Sequence, residues 1–247
     1  MNKRSNTKSG GHSRPLFDSL EQRRLLSAAF NVTGLTALRN DPLYNSIDGS
    51  GVTVAVLDTG VFGSHPDLVG NFVGYVDTVA NRAASAPFVS SASQSRDPNG
   101  HGPHVAGTIA STNRAIGVAN AAKFIGIRAL TADGEAQPRH DPVTEGLRWV
   151  LQNHRTYGIR VINMSLGSEL NSNTPTIDEL ARVMQALEGQ GITLVTANGN
   201  GYQDFRAPGA ATPAVNSTIA VVSTWEDSGS GDNLPYLGDS APRPDLI

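Results

Sequence analysis

Short stretches rich in β-branched residues alternate along this chain with amphipathic stretches. Five of them predict strands, at residues 52–57, 123–130, 161–164, 192–196 and 218–223. Helical spacing of apolar residues predicts a helix after His101, one over about residues 142–157 and one over about residues 175–190. Strands that alternate with helices imply right-handed crossovers. The expected fold class is α/β, with a mostly parallel central sheet flanked by helices.

The second and third predicted helices carry the same start signal. Asp141-Pro142 and Thr174-Pro175 each place a side-chain acceptor before a proline, which is typical of an N-cap and a first helical residue. Each helix also has one apolar face at helical spacing. The residues of these faces are Leu147, Val150 and Leu151 in the second helix, and Ile177, Leu180, Met184 and Leu187 in the third.

Polar residues stand where several of the predicted elements end or begin. Asp58 and Ser165 directly follow apolar strands, Asn200 comes shortly after another, and His101 opens a helix of small residues. Open parallel sheets bind ligands beyond the carboxyl ends of their strands, so we expect these four side chains to share one cleft. An imidazole exchanges protons near neutral pH, and a neighbouring carboxylate can orient it.

Composition indicates a globular chain, and its length suits one large or two small domains, of which the order of the motifs favours one. The chain has 247 residues, of which 38% are hydrophobic, and its 26 Gly and 14 Pro imply many loops. Cysteine is absent, which excludes disulfides, thiolate metal sites and cysteine nucleophiles. Residues 1–24 carry a net charge of +4 (six basic, two acidic), so the remainder of a chain with net charge −3 stands at −7. That acidic body argues against nucleic acid as a partner.

Four motifs follow one another in order. Asp58-Thr-Gly60 precedes Ser64-His-Pro-Asp-Leu68, the histidine segment spans residues 99–110, and two further segments span residues 161–167 and 192–200. Together they resemble the subtilisin-like serine proteases (subtilases, peptidase family S8), over roughly residue 33 to the end. The resemblance implies the three-layer subtilisin-like fold, serine endopeptidase activity and peptides or proteins as substrates.

The resemblance also implies a role for each matching residue. His101 would be the general base, Asp58 would hold its tautomer, and Asn200 would supply the oxyanion-hole amide. Ser165 would not be the nucleophile. Two segments would be the edges between which the substrate lies as an added strand. These edges are Ser165, Leu166 and Gly167 on one side and Gly134, Glu135 and Ala136 on the other.

The family's nucleophilic serine lies in a Gly-Thr-Ser-Met-Ala-type segment, and these 247 residues contain none. Residues 238–247 resemble the stretch that precedes it in relatives. We therefore expect residues 29–247 to form a partial peptidase domain, incomplete at its C-terminus and inactive as given. The alternative is a non-catalytic peptide-binding remnant that keeps the substrate edges.

The first 28 residues are set apart by their composition. Residues 17–28 resemble an N-terminal motif of exported bacterial proteins with the form Leu-Glu-x-Arg-x-Leu-Leu-Ser. This indicates an export-associated leader and an extracellular or cell-surface location, while a disordered basic tail is the alternative. No apolar stretch approaches the length of a membrane span.

Other interpretations of the same residues stay open. Asp58 could cap a turn, and Asn200 could be a turn residue beside glycine. His101 and His104 could suggest a metal pair, but a third ligand is missing, so no catalytic metal is predicted. An aspartic protease needs two Asp-Thr-Gly carboxylates, and this chain has one.

The sequence departs from the family pattern at two places, and it gives an incomplete set of ligands for the calcium ion that is common in the family. Pro103 stands where a threonine is usual, and residues 78–95 read as a surface loop insertion. No cofactor is expected for the chemistry. Calcium is common in the family as a structural ion, and Asp67 matches one usual ligand. The loop that would supply the others, residues 111–118, is short.

Overall fold

The computed structural model describes residues 29–31, 33–134, 141–168, 172, 174–199, 210–216 and 219–222. Its centre is a six-stranded sheet in the order β2-β3-β1-β4-β5-β6, with every pairing parallel. The strands are β1 (Thr53–Asp58), β2 (Phe72–Asp77), β3 (Lys123–Arg128), β4 (Ile159–Met164), β5 (Thr193–Ala197) and β6 (Ile219–Val221). The helices are α1 (Leu35–Asn40), α2 (His101–Ala110), α3 (Pro142–Tyr157) and α4 (Glu179–Gly189).

Helices cover both faces of this sheet. One hydrophobic cluster joins α3 and α4 to residues such as Leu57 and Ile162, and the other joins α2 to residues such as Val56 and Phe124. Because β1 faces both clusters, all six of its residues are buried, which explains why it reads as an apolar run rather than an alternation. The predicted fold class, a parallel sheet flanked by helices, is confirmed.

The strand β2 was not among the predicted strands. It lies at the edge of the sheet beside β3 and contains Gly74, which weakens a strand signal in the sequence. A tertiary contact explains why this residue is glycine, because a Cβ atom at this position would lie 2.1 Å from the ring of Phe88.

The segment of residues 78–95, predicted as a surface loop, has many exposed residues and is anchored to the domain at a few positions. Ala83 and Ala86 are buried in the larger cluster. The Phe88 ring stacks on Tyr157 of α3 at a centroid distance of 4.3 Å, and on Trp149 at 5.9 Å. The Ala- and Ser-rich sequence of this segment did not predict the contact, because only Phe88 makes it.

The start of α4 differs from its prediction, whereas α3 begins as expected. Asp141 caps α3 by accepting hydrogen bonds from two amides of its first turn. In α4 the cap is Asp178, which accepts from the Ala181 amide at 2.9 Å, so the helix begins at Glu179 instead of near Pro175. Thr176 lies before the helix because its amide donates to Asn216 Oδ1 at 3.0 Å. Ile177, assigned to the apolar face, is consequently 86% exposed.

Among the helices of the described ranges, none combines the length and the apolar character needed to cross a membrane. The predicted leader, residues 1–28, lies outside the described residues.

Candidate active site

The structure brings Asp58 and His101 into direct contact. Asp58 is the last residue of β1 and His101 is the first residue of α2. Nδ1 of the imidazole lies 2.7 Å from Oδ1 of the carboxylate. The Asp58 side chain is fully buried, whereas that of His101 is 47% exposed. A ring that donates from Nδ1 to a carboxylate keeps Nε2 available as a proton acceptor when it is neutral.

The backbone around Asp58 fixes its carboxylate. The Thr59 amide donates to Oδ1 at 2.7 Å, and the Asp58 carbonyl accepts from the amides of Ala129 and Leu130, just past β3. The other carboxylate oxygen, Oδ2, is buried and has no hydrogen-bond partner within the part of the chain that the structure describes. A buried acceptor without a donor is costly, by about 1–3 kcal/mol.

A second buried carboxylate, Asp97, holds the first turn of α2 in place. Its Oδ1 accepts the hydroxyl of Thr59 at 2.5 Å, and that hydroxyl oxygen accepts from the Gly102 amide at 3.0 Å. Its Oδ2 accepts from the amides of Asn99 and Gly100. The backbone on either side of His101 is therefore tied to the residue that follows Asp58.

This arrangement of Thr59 and Asp97 was not predicted from the sequence. The available signal was an aspartate two residues before an Asn-Gly pair, the pattern of a side chain that closes its own turn. That pattern indicates a turn, but not that the turn contacts the end of β1.

Two glycines allow the loops at this site to approach closely. A Cβ atom on Gly102 would lie 2.0 Å from the Gly60 carbonyl oxygen, and one on Gly60 would lie 2.1 Å from the Arg96 carbonyl oxygen. Gly60 also has φ of 134°, a conformation that side chains rarely adopt. Both positions accept only glycine without a backbone shift.

The predicted substrate edges leave the sheet on either side of Asp58. The strand order β3-β1-β4 places the turn containing Gly134 beyond one neighbour of β1, and Ser165, Leu166 and Gly167 beyond the other. Ser165 is half-buried and its Oγ accepts from the Asn163 side chain at 3.0 Å, while Gly167 is exposed. The turn before Gly134 is joined to the histidine loop by the side-chain amide of Asn99, which donates from Nδ2 to the Ala132 carbonyl at 2.8 Å. Glu135 and Ala136 lie outside the described residues.

Asn200 also lies outside the described residues. The chain that leads to it can be followed to Gly199, which has φ of 106° and lies close to Ala211. The preceding Asn198 amide donates to the Val221 carbonyl at 2.8 Å, so the exit of β5 is held by β6.

The loop considered for calcium, residues 111–118, presents three of its carbonyls to another cation. The Asp67 main-chain carbonyl accepts from both the amide and the hydroxyl of Thr112. The carbonyls of Arg114, Gly117 and Val118 accept from the guanidinium of Arg39. In the described ranges, no three His, Cys, Asp or Glu side chains lie close enough together to hold a metal ion.

Comparison with known proteins agrees with the fold. The model of the subtilase family, Peptidase_S8, matches residues 49–238. A thermostable alkaline protease of Halalkalibacterium halodurans is 35% identical over 214 residues, covering 85% of this chain and 52% of that protein. Subtilisin BL of Lederbergia lenta is 36% identical over 171 residues, covering 68% of this chain and 55% of that protein.

Solved structures give the same result. S41 psychrophilic protease has a TM-score of 0.60 at 29% identity, covering 79% of this chain and 60% of that one. Sphericase has a TM-score of 0.56 at 29% identity, covering 76% and 58%. The fold and these structural matches define an α/β protein with a parallel central sheet flanked by helices. The chain belongs to the subtilase family, and it spans about half the length of the curated relatives it matches.

Proposed function

We propose that this chain supplies the aspartate and histidine of a subtilisin-like serine endopeptidase, which hydrolyses peptide bonds in peptide or protein substrates. The observation that carries the proposal is the 2.7 Å contact between Asp58 and His101 at the carboxyl end of β1. His101 Nε2 takes the proton of a serine hydroxyl as the hydroxyl oxygen attacks the scissile carbonyl carbon, and later gives that proton to the leaving amine. Asp58 stabilises the imidazolium in between.

Further residues are proposed to complete the site around this pair. Asn200 donates its side-chain amide to the oxyanion, and loss of such a donor lowers turnover by about 10²–10³, a magnitude measured in a subtilisin. Gly134–Ala136 and Ser165–Gly167 bind the substrate backbone as an added strand, with affinity from main-chain hydrogen bonds. The positions of Gly134 and Ser165 after the two neighbours of β1 support these edges.

The segment type that carries the nucleophile of the proposed reaction does not occur in these 247 residues. Because the 247 residues contain no Gly-Thr-Ser-Met-Ala-type segment, we expect the polypeptide as given to have negligible peptidase activity. Members of a catalytic triad act as a unit, so an aspartate and a histidine without their serine retain little of the rate enhancement.

The first test uses a fluorophosphonate probe, which reacts with activated serines. The purified 247-residue polypeptide is expected to remain unlabelled by mass spectrometry. Stoichiometric labelling that disappears on substitution of one of its own serines would contradict this expectation and would identify another nucleophile.

The second test concerns the gene beyond codon 247. If the reading frame continues through a Gly-Thr-Ser-type segment, the longer chain should take up the probe and hydrolyse casein. In that chain Asp58→Asn should lower kcat by about 10⁴, because an amide in place of the carboxylate favours the wrong imidazole tautomer. Full activity in the Asp58→Asn and His101→Ala variants would contradict the assigned roles.

A second candidate function is a peptide-binding protein without catalysis, in which the segments that follow β3 and β4 bind a peptide as an added strand. In that case peptides should bind the 247-residue chain in a fluorescence anisotropy titration, with the same affinity after His101→Ala. An in-frame serine segment directly downstream would exclude this candidate.

We also propose that the protein is exported and acts outside the cell or at its surface. The leader-like motif in residues 17–28 supports this location. Cell fractionation of the source organism, with N-terminal sequencing of the exported form, tests it. No cofactor is proposed for the chemistry. No nucleic-acid partner is proposed either, because residues 25–247 carry a net negative charge.

A further inference from the structure

A single arginine gathers three backbone carbonyls in the loop that follows α2. Arg39, on α1, donates from Nη1 to the Arg114 carbonyl at 2.7 Å. Its Nη2 donates to the Gly117 carbonyl at 2.5 Å and to the Val118 carbonyl at 3.1 Å. Three carbonyl oxygens that converge on one positive charge form a cation site, and here the cation is part of the chain.

The loop is folded so that its carbonyls point to this common centre. The Gly117 amide donates to the Asn113 carbonyl at 2.9 Å, which closes the loop on itself. The Val118 amide then donates back to the Thr108 carbonyl in the last turn of α2, also at 2.9 Å.

The oxygen-rich loop is also where calcium would be expected from the family resemblance. Calcium takes six to eight oxygen ligands, mostly carboxylates and backbone carbonyls. In this chain the carbonyls of residues 114, 117 and 118 already accept from a guanidinium, whose charge would repel a second cation at the same oxygens. The Asp67 carbonyl is likewise engaged, with Thr112. The three loop carbonyls bound to the guanidinium therefore do not fit a calcium ion.

We propose that Arg39 replaces a structural metal ion in this loop, so that residues 111–118 are held by the guanidinium and do not bind calcium. Arginine suits this task because its planar fork carries several donors and keeps its charge at every physiological pH. Partial burial, and then the nearby charge of Arg114, lower the pKa of Arg39. The Phe30 ring, 5.0 Å from Cζ, covers the guanidinium on one side.

This contact explains how α1 is attached to the domain. No residue of α1 is buried, so apolar packing contributes little to its position. The guanidinium joins α1 to the loop that follows the His101 helix. Loss of Arg39 should therefore loosen both the lead-in segment and the loop, while the hydrophobic clusters, which do not include Arg39, remain intact.

The test is amide hydrogen exchange of the 247-residue chain, followed by mass spectrometry of peptides that cover residues 111–122. In Arg39→Ala these amides should exchange at least about tenfold faster, since three charge-assisted hydrogen bonds are lost. Arg39→Lys should give an intermediate rate, because a point charge replaces the fork. In the unmodified chain, exchange should be the same in millimolar calcium chloride and in EGTA.

The matched control is Arg114→Ala, which removes a positive charge from the same loop but leaves all three carbonyls in place. Its exchange should equal that of the unmodified chain or be slower. The proposal is overturned if calcium slows exchange of residues 111–122 in the unmodified chain, or if Arg39→Ala leaves their exchange unchanged. Either result is independent of the proposed peptidase activity, because the measurement needs no catalysis.

Discussion

At the scale of single residues, the site depends on the one proton of the Thr59 hydroxyl. This oxygen lies 2.5 Å from Asp97 Oδ1 and 3.3 Å from Asp58 Oδ1, so Asp97 receives the hydroxyl proton. The lone pairs that remain can accept the Gly102 amide. Asp97 is thus a positioning residue, which orients the hydroxyl that holds the first turn of the His101 helix.

The contact between Asp58 and His101 predicts a tautomer. When neutral, the His101 ring should carry its proton on Nδ1, because Asp58 Oδ1 accepts there. In Asp58→Ala the proton should move to Nε2. Two-bond ¹H–¹⁵N correlation spectra of histidine-labelled protein distinguish the two forms.

His154 provides an internal control for this measurement. Its Nδ1 lies 3.0 Å from the Leu151 carbonyl, so its own tautomer should not respond to Asp58→Ala. An Nε2-protonated His101 in the unmodified chain would contradict the assigned hydrogen bond.

Two glycines of α2 predict opposite effects on stability. Gly102→Ala would push a methyl group against the Gly60 carbonyl, and such overpacking costs about 1–3 kcal/mol or more. At Gly107 no described heavy atom lies within 4 Å of an added Cβ. Gly107→Ala should therefore stabilise the protein by up to about 1 kcal/mol through helix propensity. Urea denaturation of both variants measures the difference, and an equal loss in both would be evidence against the close approach at Gly102.

At the scale of elements, α4 shows how a tertiary contact sets a helix boundary. The sequence offers two caps, Thr174 before Pro175 and Asp178 before Glu179. The structure uses Asp178, because Asn216 binds both the amide and the hydroxyl of Thr176 and holds the chain extended there. The start of α4 therefore depends on a contact between residues 40 positions apart in the sequence.

Because α4 begins at Glu179, substitutions of Met184 and Ile177 should affect stability differently, although both residues belong to the apolar face predicted from the sequence. Met184 is fully buried, so Met184→Ala should lower the free energy of unfolding by about 2–5 kcal/mol. Ile177 is 86% exposed, so Ile177→Ala should change the free energy of unfolding by no more than about 0.5 kcal/mol. Chemical denaturation compares them, and similar losses would show that the helix begins near residue 175.

At the scale of the whole molecule, the sheet divides into a protected centre and an exposed edge. β1 is buried throughout and paired on both sides, whereas all three residues of β6 are exposed in the described part of the chain. Opening β1 disrupts both hydrophobic clusters, while fraying of β6 disrupts neither.

This division predicts a gradient of hydrogen exchange. Amides of β1 should exchange at least about a hundredfold more slowly than those of β6, because their opening approaches global unfolding. NMR-detected exchange of the backbone amides measures both. Equal protection in the two strands would contradict the proposed division.

The sequence determined the class of fold and the identity of the central pair. Apolar runs at strand length, an Asp141-Pro142 cap and an Asp-Thr-Gly that ends a run are local signals, and the structure places the corresponding elements there. A carboxylate at a strand end and a histidine that opens a helix could be paired from the rule that strand ends share one edge.

Only the tertiary structure decided the contacts between segments that are distant along the chain. It turned a weak Gly-containing run into β2, moved the start of α4 to Asp178, and packed Phe88 on α3. It also directed Asp97 to Thr59 and Arg39 to the loop after α2. Periodicity and capping act over a few residues, whereas these contacts depend on which loops the folded sheet brings together.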